Sequence, residues 1–194
     1  KLFVNPYGVD LTDFQPTELD AKSHFDIIFV GQWSYRKGAD LMTELCEKNP
    51  ELSMIHLGTV GDVPLSNLKN IVHVNAVNEK KIINFYKKSK ILILPSREDG
   101  FGMVLTQAIA CGLPVVCSSE TGSKEIKTQL EDNKFITVME DYNCKELTKC
   151  VKIALDISRT QKGRRFYSKS LESKLSWEAY GSRYQQFLKK AIKV

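Results

Sequence analysis

The chain has 194 residues, of which 42% are hydrophobic and 26% are charged. These values are typical of a globular domain that buries a core, and no apolar run approaches the roughly 20 residues that span a bilayer. The formal net charge of +5 comes largely from scattered lysines, which makes nucleic-acid binding a weak interpretation. The five cysteines are odd in number and have no metal-ligand spacing. We therefore predict no metal site, no cofactor and a reducing, cytoplasmic setting.

The N-terminal stretch contains a turn and no signal peptide. Lys1 leads directly into Val4–Asp10 (VNPYGVD), in which Asn5-Pro6 and Gly8 are turn residues. A start of this kind is typical of the middle of a chain, so we expect residues 1–24 to lead in from a preceding domain.

A strand, a loop and a helix are predicted next. Phe25–Val30 (FDIIFV) is an apolar run that predicts a buried strand. After Gly31 and a short loop, a helix is predicted to begin at Arg36-Lys37-Gly38. A Lys point charge and an Arg fork suit a pyrophosphate, and two cations at a helix start oppose the helix dipole unless an anion is bound. The alternative is a solvent-facing helix N-terminus.

Strands and helices continue to alternate along the chain. Further elements are predicted as strands Ser53–Leu57, Asn70–Val74 and Phe135–Val138 and as helices Lys80–Lys88 and Asp141–Ser158. Such alternation predicts an α/β fold with a Rossmann-like, doubly wound parallel sheet and helices on both faces.

The most informative stretch is Lys90–Ser118. Ile91–Leu94 predicts a buried strand, a polar loop with Gly100 and Gly102 follows, and a helix is predicted from Met103 to a C-cap at Gly112. Leu113–Cys117 then predicts a second buried strand. Because ligands bind beyond the carboxyl ends of parallel strands, a phosphate is expected at the backbone amides of Gly102, Met103 and Val104. An ordinary glycine-containing turn is the alternative.

Residues Pro95–Val116 (PSREDGFGMVLTQAIACGLPVV) resemble the signature of retaining nucleotide-sugar glycosyltransferases of the GT-B fold, glycosyltransferase family 4 or group 1. The usual form is P-S-x-x-E-G-F-G, an apolar pair, then E-A-x-A-x-G-x-P-V-V. Arg36-Lys37-Gly38 and Ser176-Trp177-Glu178 resemble two further elements of the same family, and the resemblance extends from Asn5 to Phe187. The two glutamates of the family's signature are replaced here by Asp99 and Gln107.

The resemblance implies roles for individual residues. Lys37 and Asp99 would be catalytic, with Glu98 able to substitute for Asp99 at the donor sugar. Gln107 would contact the ribose. The remaining donor-binding residues would be Arg36, Gly100, Phe101, Gly102, Met103, Val104 and, at the nucleobase, Asn75.

The resemblance also implies an organisation and an activity. Residues 25–175 would form the donor-binding half of a GT-B enzyme, and residues 176–194 a helix that crosses back to the other half. That helix lies either exposed or against the domain. The whole enzyme, a hexosyltransferase, would move a sugar from a UDP-, GDP- or ADP-sugar to an acceptor hydroxyl in glycan, polysaccharide or glycolipid synthesis.

The acceptor site would belong to an N-terminal domain outside this chain. We therefore expect the isolated chain to fold, bind a nucleoside diphosphate weakly and transfer nothing. We expect it to be cytoplasmic, with peripheral membrane attachment through the other domain left open. Two alternatives remain: a nucleotide-binding inactive homologue, suggested by Asp99 and Gln107, and a nucleotide-sugar epimerase on the same fold, against which the S-W-E segment speaks.

Overall fold

The computed structural model describes residues 3–16, 25–130, 133–161 and 169–192. Its sheet has six parallel strands in the order β3-β2-β1-β4-β5-β6. The strands are β1 (Phe25–Val30), β2 (Met54–Leu57), β3 (Ile71–Val74), β4 (Ser89–Leu94), β5 (Val115–Cys117) and β6 (Ile136–Val138). The helices are α1 (Ala39–Lys48), α2 (Glu79–Tyr86), α3 (Met103–Ala110), α4 (Ser123–Gln129), α5 (Cys144–Thr160), α6 (Lys169–Leu175) and α7 (Trp177–Ile192).

The sheet is covered by helices on both faces, as predicted. Successive strand residues point to opposite faces, so in β1 Ile28 belongs to one buried cluster and Phe29 to the other. The first cluster includes Leu105 of α3, and the second includes Leu45 of α1 and Leu147 of α5. Burial on both faces explains why the central strands are mostly apolar, as in Ile27–Val30 of β1 and Ile91–Leu94 of β4.

The strand order reverses between β1 and β4, which pair in parallel with Ile27 opposite Ile91. The connections that leave these two strands therefore run to opposite sides of the sheet and leave a crevice between them at the carboxyl edge. Ligands of open α/β sheets bind at such a point. The fold therefore places the loops after β1 and β4 in the position predicted for the site.

Several predicted boundaries differ from the structure. The helix predicted to begin at Arg36 begins at Ala39, because Gly38 has a left-handed backbone (φ 80°) that helical residues do not adopt. A Cβ at Gly38 would lie 2.2 Å from the carbonyl oxygen of Pro95, so only glycine fits. The helix predicted from Asp141 begins at Cys144, where the Asn143 side chain accepts a hydrogen bond from the Glu146 amide.

Helix α7 packs against residues near the N-terminus of the chain. Val9 bridges to Ser176, and Arg183 donates hydrogen bonds to the Asn5 side chain (2.7 Å) and the Pro6 carbonyl (2.8 Å). None of the described residues of α7 is buried, so the helix lies on the surface of the domain rather than within it. Within the described ranges, no helix combines the length and the apolar character required to cross a membrane.

Candidate nucleotide-sugar site

The loops after β1 and β4 are joined by backbone and side-chain hydrogen bonds. The Arg97 amide donates to the Arg36 carbonyl (2.8 Å), and the Arg36 guanidinium donates to the Glu98 carbonyl (3.0 Å). The Tyr142 hydroxyl donates to the Pro95 carbonyl (2.7 Å), and burial raises the pKa of Tyr142 to about 12, so it remains a donor. These contacts hold Arg36 and Glu98 beside each other across the crevice.

Lys37 and Asp99 form an ion pair at the centre of this crevice. Their side chains are only 16% and 11% exposed, and the Ser96 hydroxyl also donates to the Asp99 carboxylate (3.4 Å). That a bound anion accompanies the two cations before α1 stays a prediction, but Lys37 already has a counter-ion within the protein. Arg36 and Lys37 lie in the turn before α1, and Asp99 neutralises the charge of Lys37. The structure nevertheless brings together both residues predicted to be catalytic.

The N-terminus of α3 is open. Gly102 is its N-cap, with no side-chain cap and no acidic residue in the first turn. Among the described residues, the amides of Gly102, Met103 and Val104 have no hydrogen-bond partner. Free amides and the helix dipole together favour an anion at this position. The N-terminus of α1 differs, since Asp40 lies in its first turn and the Ala39 amide donates to the Ser34 carbonyl.

A cavity of about 440 Å³ adjoins the loop that leads into α3. Its walls include the predicted residues Glu98, Asp99, Gly100 and Phe101. Tyr7 closes one side, with its ring edge-on to Phe101 at a centroid distance of 5.5 Å. The cavity thus combines carboxylates with aromatic surface. A larger cavity of about 1020 Å³ lies between residues 9–15 and α7, away from the predicted site residues.

Gln107, which was predicted to contact the ribose, makes its side-chain contacts with other residues of the chain. Its side chain is 5% exposed, its amide nitrogen donates to Glu79 of α2 (2.7 Å), and its amide oxygen lies 3.4 Å from the Tyr86 hydroxyl. Burial keeps the pKa of Tyr86 well above its ordinary value, so this hydroxyl is a donor. Both ends of the Gln107 amide are therefore engaged by protein groups.

Two histidines, His56 and His73, lie between Asn75 and the Gly31 carbonyl at the end of β1. His56 Nε2 lies 2.9 Å from the Gly31 carbonyl, His56 Nδ1 lies 2.8 Å from His73 Nδ1, and His73 Nε2 lies 3.3 Å from Asn75 Oδ1. Because a carbonyl only accepts, His56 Nε2 carries the hydrogen in this chain of contacts. Burial lowers the pKa of His56 to about 4, so this ring is neutral near pH 7. Asn75 lies exposed just after β3, beside this histidine pair.

Sequence reasoning missed Glu79 and the histidine pair. Glu79 follows Asn78, whose side chain caps α2 by accepting from the Lys80 amide. A polar side chain just after the predicted strand Asn70–Val74 lies at the carboxyl edge of the sheet, so the position of Glu79 was within reach of the argument that selected Asn75. The contact with Gln107, 28 residues away in the chain, had no local signal.

Residues 12–169 match the sequence model of the family described as glycosyl transferases group 1. The chain belongs to this glycosyltransferase family. Among curated relatives of this group 1 chain is a component of the human phosphatidylinositol N-acetylglucosaminyltransferase, 30% identical over 136 residues, or 63% of the chain. A second is the D-inositol 3-phosphate glycosyltransferase of Xylanimonas cellulosilytica, 25% identical over 153 residues, or 65% of the chain. The group 1 chain spans only 28% and 37% of the lengths of these two relatives.

Three solved structures share the fold of this chain at low sequence identity. Sucrose-phosphate synthase from Thermosynechococcus elongatus superposes with a TM-score of 0.71 at 17% identity, over 97% of this chain and 52% of the other. Anabaena HepE, solved with UDP and glucose, gives 0.68 at 16% identity, over 96% and 55%. The C-terminal domain of a Francisella tularensis group 1 glycosyltransferase, LpcC, gives 0.64 at 16% identity, over 91% and 98%. The domain thus has the Rossmann-like fold of GT-B glycosyltransferases.

Proposed function

We propose that this group 1 domain is the donor-binding half of a retaining glycosyltransferase, and that it holds a nucleoside-diphosphate sugar at the crevice between β1 and β4. The observation that carries the proposal is the set of free amides at the start of α3, together with Lys37 and Arg36, which contact Asp99 and Glu98 in the loop that leads into α3. Main-chain donors, one ammonium and one guanidinium form a site suited to a diphosphate.

The proposed chemistry stabilises a leaving group. As the bond between the sugar and the diphosphate breaks, negative charge grows on the diphosphate, and donors fixed in advance lower the energy of that state. Asp99 would hold Lys37 in position, because an ammonium has three N–H donors and can contact Asp99 and a phosphate together. The reaction would keep the anomeric configuration, with the leaving phosphate accepting the proton of the acceptor hydroxyl.

The donor sugar would lie in the cavity of about 440 Å³, against Glu98, Asp99, Gly100 and Phe101. Carboxylates accept hydrogen bonds from sugar hydroxyls, and Phe101 supplies apolar surface. The nucleobase would lie by Asn75, at the end of β3 on the same edge of the sheet. UDP is the first nucleotide to test, because Anabaena HepE and the pneumococcal O-GlcNAc transferase GtfA were both solved with UDP.

The acceptor would bind to a second domain of the whole enzyme. The chain spans about half of two full-length structural relatives and 98% of the LpcC C-terminal domain, which supports a two-domain arrangement. Helix α7 supplies exposed apolar side chains for such a contact, including Tyr184 (48% exposed) and Ile192 (79%). The named activities of the human and Xylanimonas relatives support a hexosyltransferase that acts in glycan or glycolipid synthesis.

Calorimetric titration with UDP, GDP and ADP tests the proposal, using the chain beside a Lys37→Ala variant. One nucleotide should bind, and the variant should bind it about tenfold more weakly or worse, since a charge-assisted contact is lost. Lys48→Ala is the matched control, because Lys48 lies at the far end of α1 and forms a surface ion pair with Glu44 of the same helix. Equal affinity in the chain and the Lys37→Ala variant, or no binding at millimolar nucleotide, would overturn the proposed site.

A nucleotide-binding homologue without transferase activity is the second candidate. It is favoured by one observation, namely that Gln107 is buried and already hydrogen-bonded at both ends of its amide. Both candidates predict nucleotide binding by this chain, and both predict no transfer by the chain alone. They differ in the whole enzyme, where only the transferase should release free UDP from a UDP-sugar when an acceptor is added.

A further inference from the structure

The side chain of Glu79 is held against α3 in a defined orientation. Its Oε1 accepts a hydrogen bond from the Gln107 amide nitrogen at 2.7 Å, and Glu79 lies in the first turn of α2. In the described part of the chain, no hydrogen bond or ion pair engages its second oxygen, Oε2. Glu79 is nevertheless exposed, so one oxygen is anchored by the protein and the other faces solvent.

Gln107 accounts for this orientation. It is 5% exposed and lies between Tyr86, which is fully buried, and Glu79. A neutral amide that donates to a carboxylate fixes its direction without cancelling its charge. Arg or Lys in the same place would fix the direction of the carboxylate but would also neutralise its charge. The pair therefore presents a full negative charge and an acceptor at the surface.

This acceptor lies close to the free amides at the start of α3 along the helix axis. Gln107 follows Val104 by three residues, which is about one helical turn or 5 Å along α3. A phosphate at the start of α3 would therefore place the attached ribose near the Glu79–Gln107 pair. This step rests on the proposed function.

We propose that Glu79 is the ribose-binding carboxylate of this chain, and that Gln107 is a positioning residue that holds Glu79 in place. A ribose presents two neighbouring hydroxyls, each a donor, and a carboxylate oxygen has free lone pairs to accept them. Glu79 then favours ribonucleotides over deoxyribonucleotides. The carboxylate that contacts the ribose belongs to α2 rather than to α3.

The test compares each nucleotide with its 2′-deoxy analogue. Affinities for UDP, GDP, ADP and their 2′-deoxy forms are measured by ligand-observed NMR and calorimetry at nucleotide concentrations up to about 10 mM, where weak binding remains visible. The chain should prefer the ribonucleotide roughly tenfold or more, the range of a hydrogen bond to a charged group. In Glu79→Gln, an amide NH₂ group would replace the free oxygen Oε2, and this group cannot accept a hydrogen bond from a ribose hydroxyl. The preference should fall to near unity, with the 2′-deoxynucleotide bound as before.

Glu178→Gln is the matched control, because Glu178 is also an exposed first-turn glutamate, on α7. It should keep the preference of the unaltered chain. Three outcomes would overturn the inference: no ribose preference in the unaltered chain, a preference that survives in Glu79→Gln, or an equal loss for both nucleotide forms, which would indicate that Glu79 only joins α2 to α3. If no nucleotide binds to the unaltered chain, the proposed function itself fails and this inference fails with it.

Discussion

Arg97 and Asp40 form a two-pronged ion pair, in which Nη1 and Nη2 of the guanidinium each lie 2.7 Å from one carboxylate oxygen. The guanidinium also lies over the ring of Tyr35, 3.6 Å from its centroid, and donates to the Tyr35 carbonyl at 2.6 Å. Arg97 belongs to the loop after β4, and Asp40 to the first turn of α1. One side chain therefore fixes the two loops of the crevice relative to each other.

Replacing Arg97 with lysine should destabilise the domain despite preserving the charge. Lysine cannot make the paired contact or stack on Tyr35, and we expect a loss of about 1–2 kcal/mol after allowance for partial solvent exposure. Urea unfolding of both chains at pH 7 measures this loss. Arg159→Lys is the control, because its pair with Asp156 is exposed on one face of α5 and should contribute within about 0.5 kcal/mol. Equal losses in the two variants would contradict the assigned role of Arg97.

The contribution of this pair should also depend on pH in a definite direction. Burial alone would raise the pKa of Asp40, but the hydrogen bonds and charge of Arg97 outweigh it and leave the pKa below the ordinary value of 3.8. A lowered folded-state pKa stabilises the fold above the ordinary value and stops doing so as the pH falls below it. The difference between the chain and Arg97→Lys should therefore shrink in acid below pH 3.8.

The two glycines of the loop before α3 should respond differently to alanine. Gly102 has φ 70°, and a Cβ there would lie 2.8 Å from Leu94 Cδ2. We expect Gly102→Ala to lower the free energy of unfolding by about 1–3 kcal/mol, from the left-handed backbone alone. At Gly100, a Cβ would have no neighbour within 4 Å and φ is not positive, so Gly100→Ala should be within about 0.5 kcal/mol of the original chain. Thermal unfolding of the two variants tests both expectations. A destabilised Gly100→Ala would contradict the conclusion that a Cβ is tolerated at Gly100.

The local elements of this fold could be predicted from sequence because their signals are local. β1 was predicted with its observed bounds, Phe25–Val30, since a mostly apolar run ends there at Gly31. α4 and α6 were not predicted. Each has seven residues, and the buried apolar side chains that the structure describes, Ile126 in α4 and Leu171 and Leu175 in α6, are too few to form a clear apolar repeat.

The place of the candidate residues in the fold could be predicted from the sequence, but the contacts between them could not. The loop from Glu98 to Val104 was placed correctly at the carboxyl edge because strand, glycine loop and helix follow one another in the chain. The Lys37–Asp99 pair joins residues 62 positions apart, and the Gln107–Glu79 pair joins residues 28 apart. Such contacts depend on the strand order and on which helices pack against each other. Neither can be predicted from the residues of a single segment.

His56 should make the stability of the domain fall in mild acid. Burial lowers its pKa from 6.5 to about 4, so the unfolded chain binds a proton between these values more readily than the folded one. The free energy of unfolding should therefore be highest above pH 6.5 and should decrease by up to about 3 kcal/mol as the pH falls to 4. Urea unfolding of the chain and of His56→Gln, carried out from pH 7 to pH 4, measures this decrease in the free energy of unfolding. The variant should show a flatter slope in this window, and parallel slopes would rule out a contribution from His56.

Exchanging the two residues of the Gln107–Glu79 pair provides the sharpest test of its geometry. Gln107→Glu restores the glutamate of the family signature, but it places a second carboxylate in a position where the side chain is 5% exposed and 2.7 Å from Glu79. The two charges repel and a donor is lost, so we expect a loss of about 1–3 kcal/mol at pH 7. Because like charges raise the folded-state pKa of such a pair, the loss should vanish near pH 4, where the carboxyls bind protons, and grow as the pH rises. The double variant Glu79→Gln with Gln107→Glu restores one amide and one carboxylate and should recover most of the stability at pH 7. If Gln107→Glu is as stable as the original chain at every pH, the two side chains are not in contact.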